Sequence, residues 1–192
     1  EDGIRDYKVT GVQTCALPIL SNKNRGSPAL RVDILSAMAP LPSALAWSVL
    51  SPTAEGTLDF ARWMAVARAH FAAELGPVDP VVAAGPWTIA VSPARELTRA
   101  SLVRLRTIPC AEAPEVLVAA RRGCDAIGGA GMDALVARTA RVWQVEDDGT
   151  PAPLVLAGVL ASALLGPVVP PGEAAIFGVR GARARLAARG WG

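Results

Sequence analysis

Leu154–Gly166 reads LVLAGVLASALLG, thirteen residues without a charge. It sits inside a longer uncharged stretch, Gly149–Gly172, whose length would suffice for a bilayer. Pro151, Pro153, Pro167, Pro170 and Pro171 interrupt both ends, however, and thirteen helical residues rise only about 20 Å against a hydrocarbon core of ~30 Å. The stretch is therefore expected to be a helix buried on all sides, over about Leu154–Leu165, with the rest of the fold wrapped around it. A membrane-associated reading through Leu154–Val169 stays open, because Arg183, Arg185 and Arg189 follow as positive flanks would.

Moving outward, the segments before this helix alternate in the two-residue period of strands. Leu30, Val32 and Ile34 alternate with Arg31 and Asp33, and Leu45, Trp47 and Val49 with Ala46 and Ser48. WTIAV at Trp87–Val91, LVRLRTI at Leu102–Ile108 and RVWQV at Arg141–Val145 read as three further strands. Helical spacing governs Thr57–Leu75, where Phe60, Met64, Ala67, Phe71 and Leu75 form one stripe, Thr57 offers a cap and Gly76-Pro77 a stop. Ser92-Pro93 is a helix-start or turn signature. Pro114–Ile127 is expected to be helical, with Val116, Leu117, Ala120 and Cys124 near one face and Gly128-Gly129 as its stop. Short helices are expected over Met132–Ala140 and Gly181–Arg189. Strands interleaved with helices imply an α/β or α+β fold, a single mixed-sheet domain with packed helices.

The N-terminus reads differently from the rest. Glu1–Asp6 (EDGIRD) and Val9–Ile19 (VTGVQTCALPI) resemble one reading frame of a short-read sequencing-library adapter, with Tyr7-Lys8 where a sample barcode would fall. The resemblance implies that residues 1–19 are an artefact, 20–28 a junction or linker, and 29–192 the globular domain, which such a junction would leave open to N-terminal truncation. From Ala29 onward there is no Lys, Asn or Tyr, a bias of GC-rich coding that fits a metagenomic fragment.

Composition excludes more than it assigns. Without residues 1–19 the chain has 17 basic and 14 acidic residues, too even a balance for a nucleic-acid surface, so no nucleic acid is expected. Cys110 and Cys124 lack zinc-type spacing and follow no secretory signal, which points to reduced thiols and a cytoplasmic protein. The absence of Lys after Lys23 removes P-loop and Schiff-base chemistry. His70 is the only histidine, so metal sites built on two histidines are excluded, and its spacing from Glu74 suggests a loose i,i+4 pair on the solvent side of a helix.

One motif retains a functional reading. Gly129-Ala130-Gly131-Met132-Asp133-Ala134 matches G-x-G-x-x-A at a helix start, with Glu146 and Asp147 downstream where a ribose carboxylate would stand. The strand that should precede it is missing. A simpler anion site for a phosphorylated ligand at Gly128–Asp133 would use Gly128, Gly129 and Gly131 with Arg121 and Arg122. The competing explanation is a helix–loop–helix turn capped by glycine. The leading expectation is a small cytosolic accessory or interaction subunit with a protein partner or a homo-oligomeric state. The sequence specifies no catalytic residue, metal or cofactor.

Overall fold

A computed structural model describes residues 40–56, 59–78, 85–96, 99–129 and 131–191. The strand expected at Leu30–Leu35 lies outside them. The elements, in chain order, are β1 (Ala46–Ser51), α1 (Phe60–Phe71), β2 (Ala73–Pro77), β3 (Trp87–Pro93), β4 (Ser101–Pro109), α2 (Pro114–Ala126), α3 (Met132–Ala137), β5 (Arg141–Glu146), α4 (Pro151–Leu164), β6 (Val168–Val169) and α5 (Val179–Ala188). Six strands form one sheet in the order β2-β3-β4-β5-β1-β6, and every pairing is antiparallel. The result is an α+β domain.

The sheet is antiparallel rather than mixed because of how its neighbours are connected. β2–β3 and β3–β4 follow one another directly, and two helices in succession, α2 and α3, separate β4 from β5. A single crossover helix returns the chain parallel to its first strand, whereas a second helix reverses it once more. The single-helix crossovers, β1-α1-β2 and β5-α4-β6, join strands that are not neighbours.

The uncharged stretch forms the middle of the molecule. Eleven of the fourteen α4 residues are buried, including every one from Ala152 to Ala161. One flank lies on β1, β3, β4 and β5, and the other is covered by α1 and α5. Among the described residues no helix is long and apolar enough to cross a membrane. Its entry has almost no free donors. Pro151 and Pro153 have no N–H, Ala152 N donates to Thr150 Oγ1, and Asp148 Oδ1 accepts from both Thr150 N and Thr150 Oγ1. The sequence Asp-Gly-Thr-Pro-Ala-Pro thus starts a helix that can enter the core without stranding polar groups.

The sheet has two working faces. Toward α4 it presents Trp47, Val49, Ile89, Val91, Val103, Leu105, Trp143 and Val145. Trp143 is stacked on Trp87 at 5.7 Å and meets Trp63 edge-on at 5.5 Å, which locks α1 to the centre of the sheet. On the opposite face Leu50, Ile108, Val142 and Val169 pack with Val116, Ala120 and Cys124 of α2 and Val136 of α3. β1 and β5 are therefore covered on both sides, while β2, β3 and β4 alternate buried with partly exposed residues.

The expected helix Thr57–Leu75 is shorter than its periodicity suggests. Asp59 caps it by accepting from Arg62 N at 3.1 Å, and Ala72 ends it in the left-handed region at φ 48°. Ala73 and Leu75 then point into the core from β2, paired with Pro93 and Val91. Leu75 satisfies a helical stripe and a strand equally well, and the sheet edge won. Ser92-Pro93 likewise ends β3 instead of starting a helix.

α1 and α5 approach α4 at Gly158. A β-carbon built there would lie 2.6 Å from Phe71 Cε1 and 3.3 Å from Ala182 Cβ. Gly158→Leu is expected to cost about 1–3 kcal/mol in denaturant unfolding through overpacking, and an unchanged midpoint would show that these helices do not pack as described.

Candidate functional site

The exposed side of α2 forms one wall of an open groove. Pro114 occupies the first helical position, where a missing N–H costs nothing, and Glu115 complements the positive end of the helix dipole. Val116, Ala120 and Cys124 are buried against the sheet. The opposite stripe, Glu115, Val118, Ala119 and Arg122 at i, i+3, i+4 and i+7, is left toward solvent, and Val118 is 46% exposed.

The far wall is the segment after β6. Pro170, Gly172, Glu173 and Ala174 face the α2 stripe across a cavity of about 490 Å³, with Ser43 between them. Gly172 N donates to Ser43 O at 3.3 Å. The segment lies close to α2 because Gly123 has no side chain: a β-carbon there would come within 2.7 Å of the Ala175 carbonyl carbon. A second cavity of about 310 Å³ adjoins the first and shares Ser43, Pro114 and Glu115 with it. Its walls are Pro40, Leu41, Pro42, Glu112 and Ala113, and Gln144 lies at its base.

Gln144 explains why a polar residue interrupts RVWQV. Its side chain is 1% exposed, yet its Nε2 donates to Leu41 O at 2.9 Å and its Oε1 accepts from Leu41 N at 2.8 Å. The amide acts as a strand partner for the chain entering at Pro40–Pro42 and holds that wall in place.

The groove is charged at its ends and apolar along its middle. Glu112 and Glu115 stand at the Pro40–Pro42 end and Arg122 at the other. Among the described residues none of these three has an ion-pair partner, whereas Glu173 is held by Arg185 at 3.1 Å. Among the described residues no three His, Cys, Asp or Glu side chains gather as a metal site would require.

The glycine loop lies elsewhere. Ile127 N and Gly128 N donate to Cys124 O and Asp125 O at 3.2 and 3.3 Å, and Gly129 N donates to Cys124 O at 2.9 Å. Gly128, Gly129 and Gly131 all have positive φ, at 73°, 74° and 83°. These donors close the C-terminus of α2 and carry the chain into α3. Asp147, expected near a ribose, accepts instead from Trp47 Nε1 at 3.1 Å and Gly149 N at 3.3 Å. Arg121 is exposed, and of the two arginines only Arg122 lines the groove. Arg121 and Arg122 thus part company, and the loop and the groove are separate features.

The remaining single residues lie apart from the groove and the glycine loop, or serve the fold. The His70–Glu74 pair does not form, because Glu74 lies on β2 and takes both oxygens to Arg68 Nε, at 2.9 and 2.8 Å. Arg185 and Arg189 stack over Phe177 and Trp47 at 4.7 and 5.5 Å. Cys110 and Cys124 are both free thiols. The chain matches no known family model, and neither a curated protein nor a solved structure is significantly similar to it.

The residues that sequence reasoning missed are Glu115, Val118 and Gln144. An exposed Val on the polar stripe of α2 and a Gln inside an apolar strand were the available signals.

Burial pushes the Cys124 thiol above its ordinary value of 9.0, and the hydrogen bond to Asp133 adds to the rise. The folded state then holds this proton more tightly than the unfolded chain. The stability so gained is fully present below 9.0 and is lost as pH rises from there toward the raised value. The stability gap between wild type and Cys124→Ala is expected to narrow as pH rises past 9.0 in urea titrations, and a constant gap would contradict this. Gln144→Met, which strands Leu41 N and O, is expected to cost about 1–3 kcal/mol and to speed amide exchange at Leu41.

Proposed function

We propose that the chain is an accessory or interaction subunit that binds a partner protein along the α2 groove. The observation that carries the reading is Val118, which stands 46% exposed on α2 between Glu115 and Arg122 and lines the 490 Å³ cavity. An apolar side chain inside a built, charged-ended trough is the pattern of a recognition surface, with an anchor at the centre and polar groups at the rim. The trough is open along its length, which suits a chain segment better than a small molecule, whose sites enclose most of the ligand.

The rigidity of the walls supports the same reading. Gln144, Gly123 and the Gly172–Ser43 contact fix the two segments beside α2, the one at Leu41–Ser43 and the one at Gly172–Ala175. A preformed surface of this kind loses little freedom on binding. Free thiols at Cys110 and Cys124 support placing the subunit in the cytoplasm.

The test is a phage-displayed dodecapeptide library selected on the wild-type chain and counter-selected on Val118→Glu. Because Val118 is 46% exposed, the variant is expected to stay within about 0.5 kcal/mol of wild-type stability. Enriched peptides are expected to bind it at least about tenfold more weakly, equivalent to 1.4 kcal/mol. Peptides that bind both proteins equally, or a selection that enriches none, would overturn the proposal.

A further inference from the structure

We infer that the groove selects a partner segment carrying a cationic and an acidic side chain about three residues apart, with apolar residues between them. The inference rests on the binding-subunit reading and adds the chemistry of the segment.

The spacing comes from α2. Glu115 and Arg122 are seven residues apart on one stripe, which is about 10 Å along the helix axis at 1.5 Å per residue. An extended chain covers that distance in roughly three residues at ~3.3 Å each. Glu112 reinforces the negative end, since it lines the adjoining cavity with Glu115. Among the described residues Arg122 has no ion-pair partner, and Glu173, the acid of the far wall, is held by Arg185 at 3.1 Å. Arg122 therefore presents its charge to an incoming group. Between the two ends the surface is Val118, Ala119, Pro170 and Ala174, which favours apolar side chains.

One wall of the groove, α2, is a helix, and it offers no row of unpaired strand N–H and C=O groups. Recognition would come from side chains rather than from strand addition. On this wall the charge pair of Glu115 and Arg122 sets the preference.

Three dye-labelled hexapeptides with the cores Lys-Val-Pro-Glu, Lys-Val-Pro-Lys and Glu-Val-Pro-Glu, blocked at both ends, test this by fluorescence anisotropy on the full chain. The Lys/Glu peptide is expected to bind about two- to fivefold more tightly than either like-charged one, the range of exposed ion pairs. Arg122→Glu is expected to reverse the order in favour of Lys/Lys. Equal affinities for all three, while Val118→Glu weakens each of them, would overturn the charge preference and leave the groove reading standing. No binding up to millimolar peptide, or no effect of Val118→Glu, would overturn the groove reading itself. A change from dimer to monomer on Val118→Glu in light scattering, without peptide binding, would assign the groove to a second copy of the chain and overturn the partner-segment proposal.

Discussion

A helix that is apolar all round can persist in water only if other elements cover every side of it, and α4 imposes that requirement on the whole molecule. The sheet covers one flank, and α1 and α5 cover the other. At Gly158 both covering helices reach α4, and Phe71 occupies the space that a side chain there would need. The Asp148–Thr150 cap and the two prolines let the helix begin without exposing donors to the core. The crossovers β1-α1-β2 and β5-α4-β6 place α1 and α4 against the sheet, and α5 follows β6. With α4 occupying one face, α2 and α3 must close the other over β1 and β5, and this fixes the inner stripe of α2. The outer stripe, and with it the groove, is a consequence.

Much of this was legible in the sequence, and for identifiable reasons. β1, β3, β4 and β5 each alternate cleanly or carry β-branched and aromatic residues, so their existence followed from period alone. α4 was legible because prolines set its length below that of a membrane span. The boundary of α1 was not. Leu75 continues the helical stripe of Phe60 and Phe71, and only the pairing of Leu75 with Val91 decides for a strand. β6, two residues long, has no local signature, and its strand state depends on Ser48 and Val49 of a distant segment. The antiparallel order of the sheet also depended on counting helices between strands, and the short α3 decides that count.

The site was less legible than the fold. The glycine run at 128–131 drew attention because glycine-rich helix starts can hold phosphates, yet the same residues are what a helix C-terminus needs. Local sequence does not separate those uses, since the difference lies in whether Cys124 O and Asp125 O have taken the donors. The groove is assembled from residues near 41, 115 and 172, which no local pattern connects. Gln144 ties the first of these regions to β5 through a pair of bonds to Leu41, 103 positions away.

Hydrogen exchange read by mass spectrometry, peptide by peptide on the whole chain, tests the central role of α4 most directly. The amides of Pro151–Leu164 should exchange last, only with global unfolding, while those of Val179–Ala188 exchange earlier. Exchange of α4 as fast as that of α5 would contradict the account, because a helix that opens independently cannot be the element around which the others are packed.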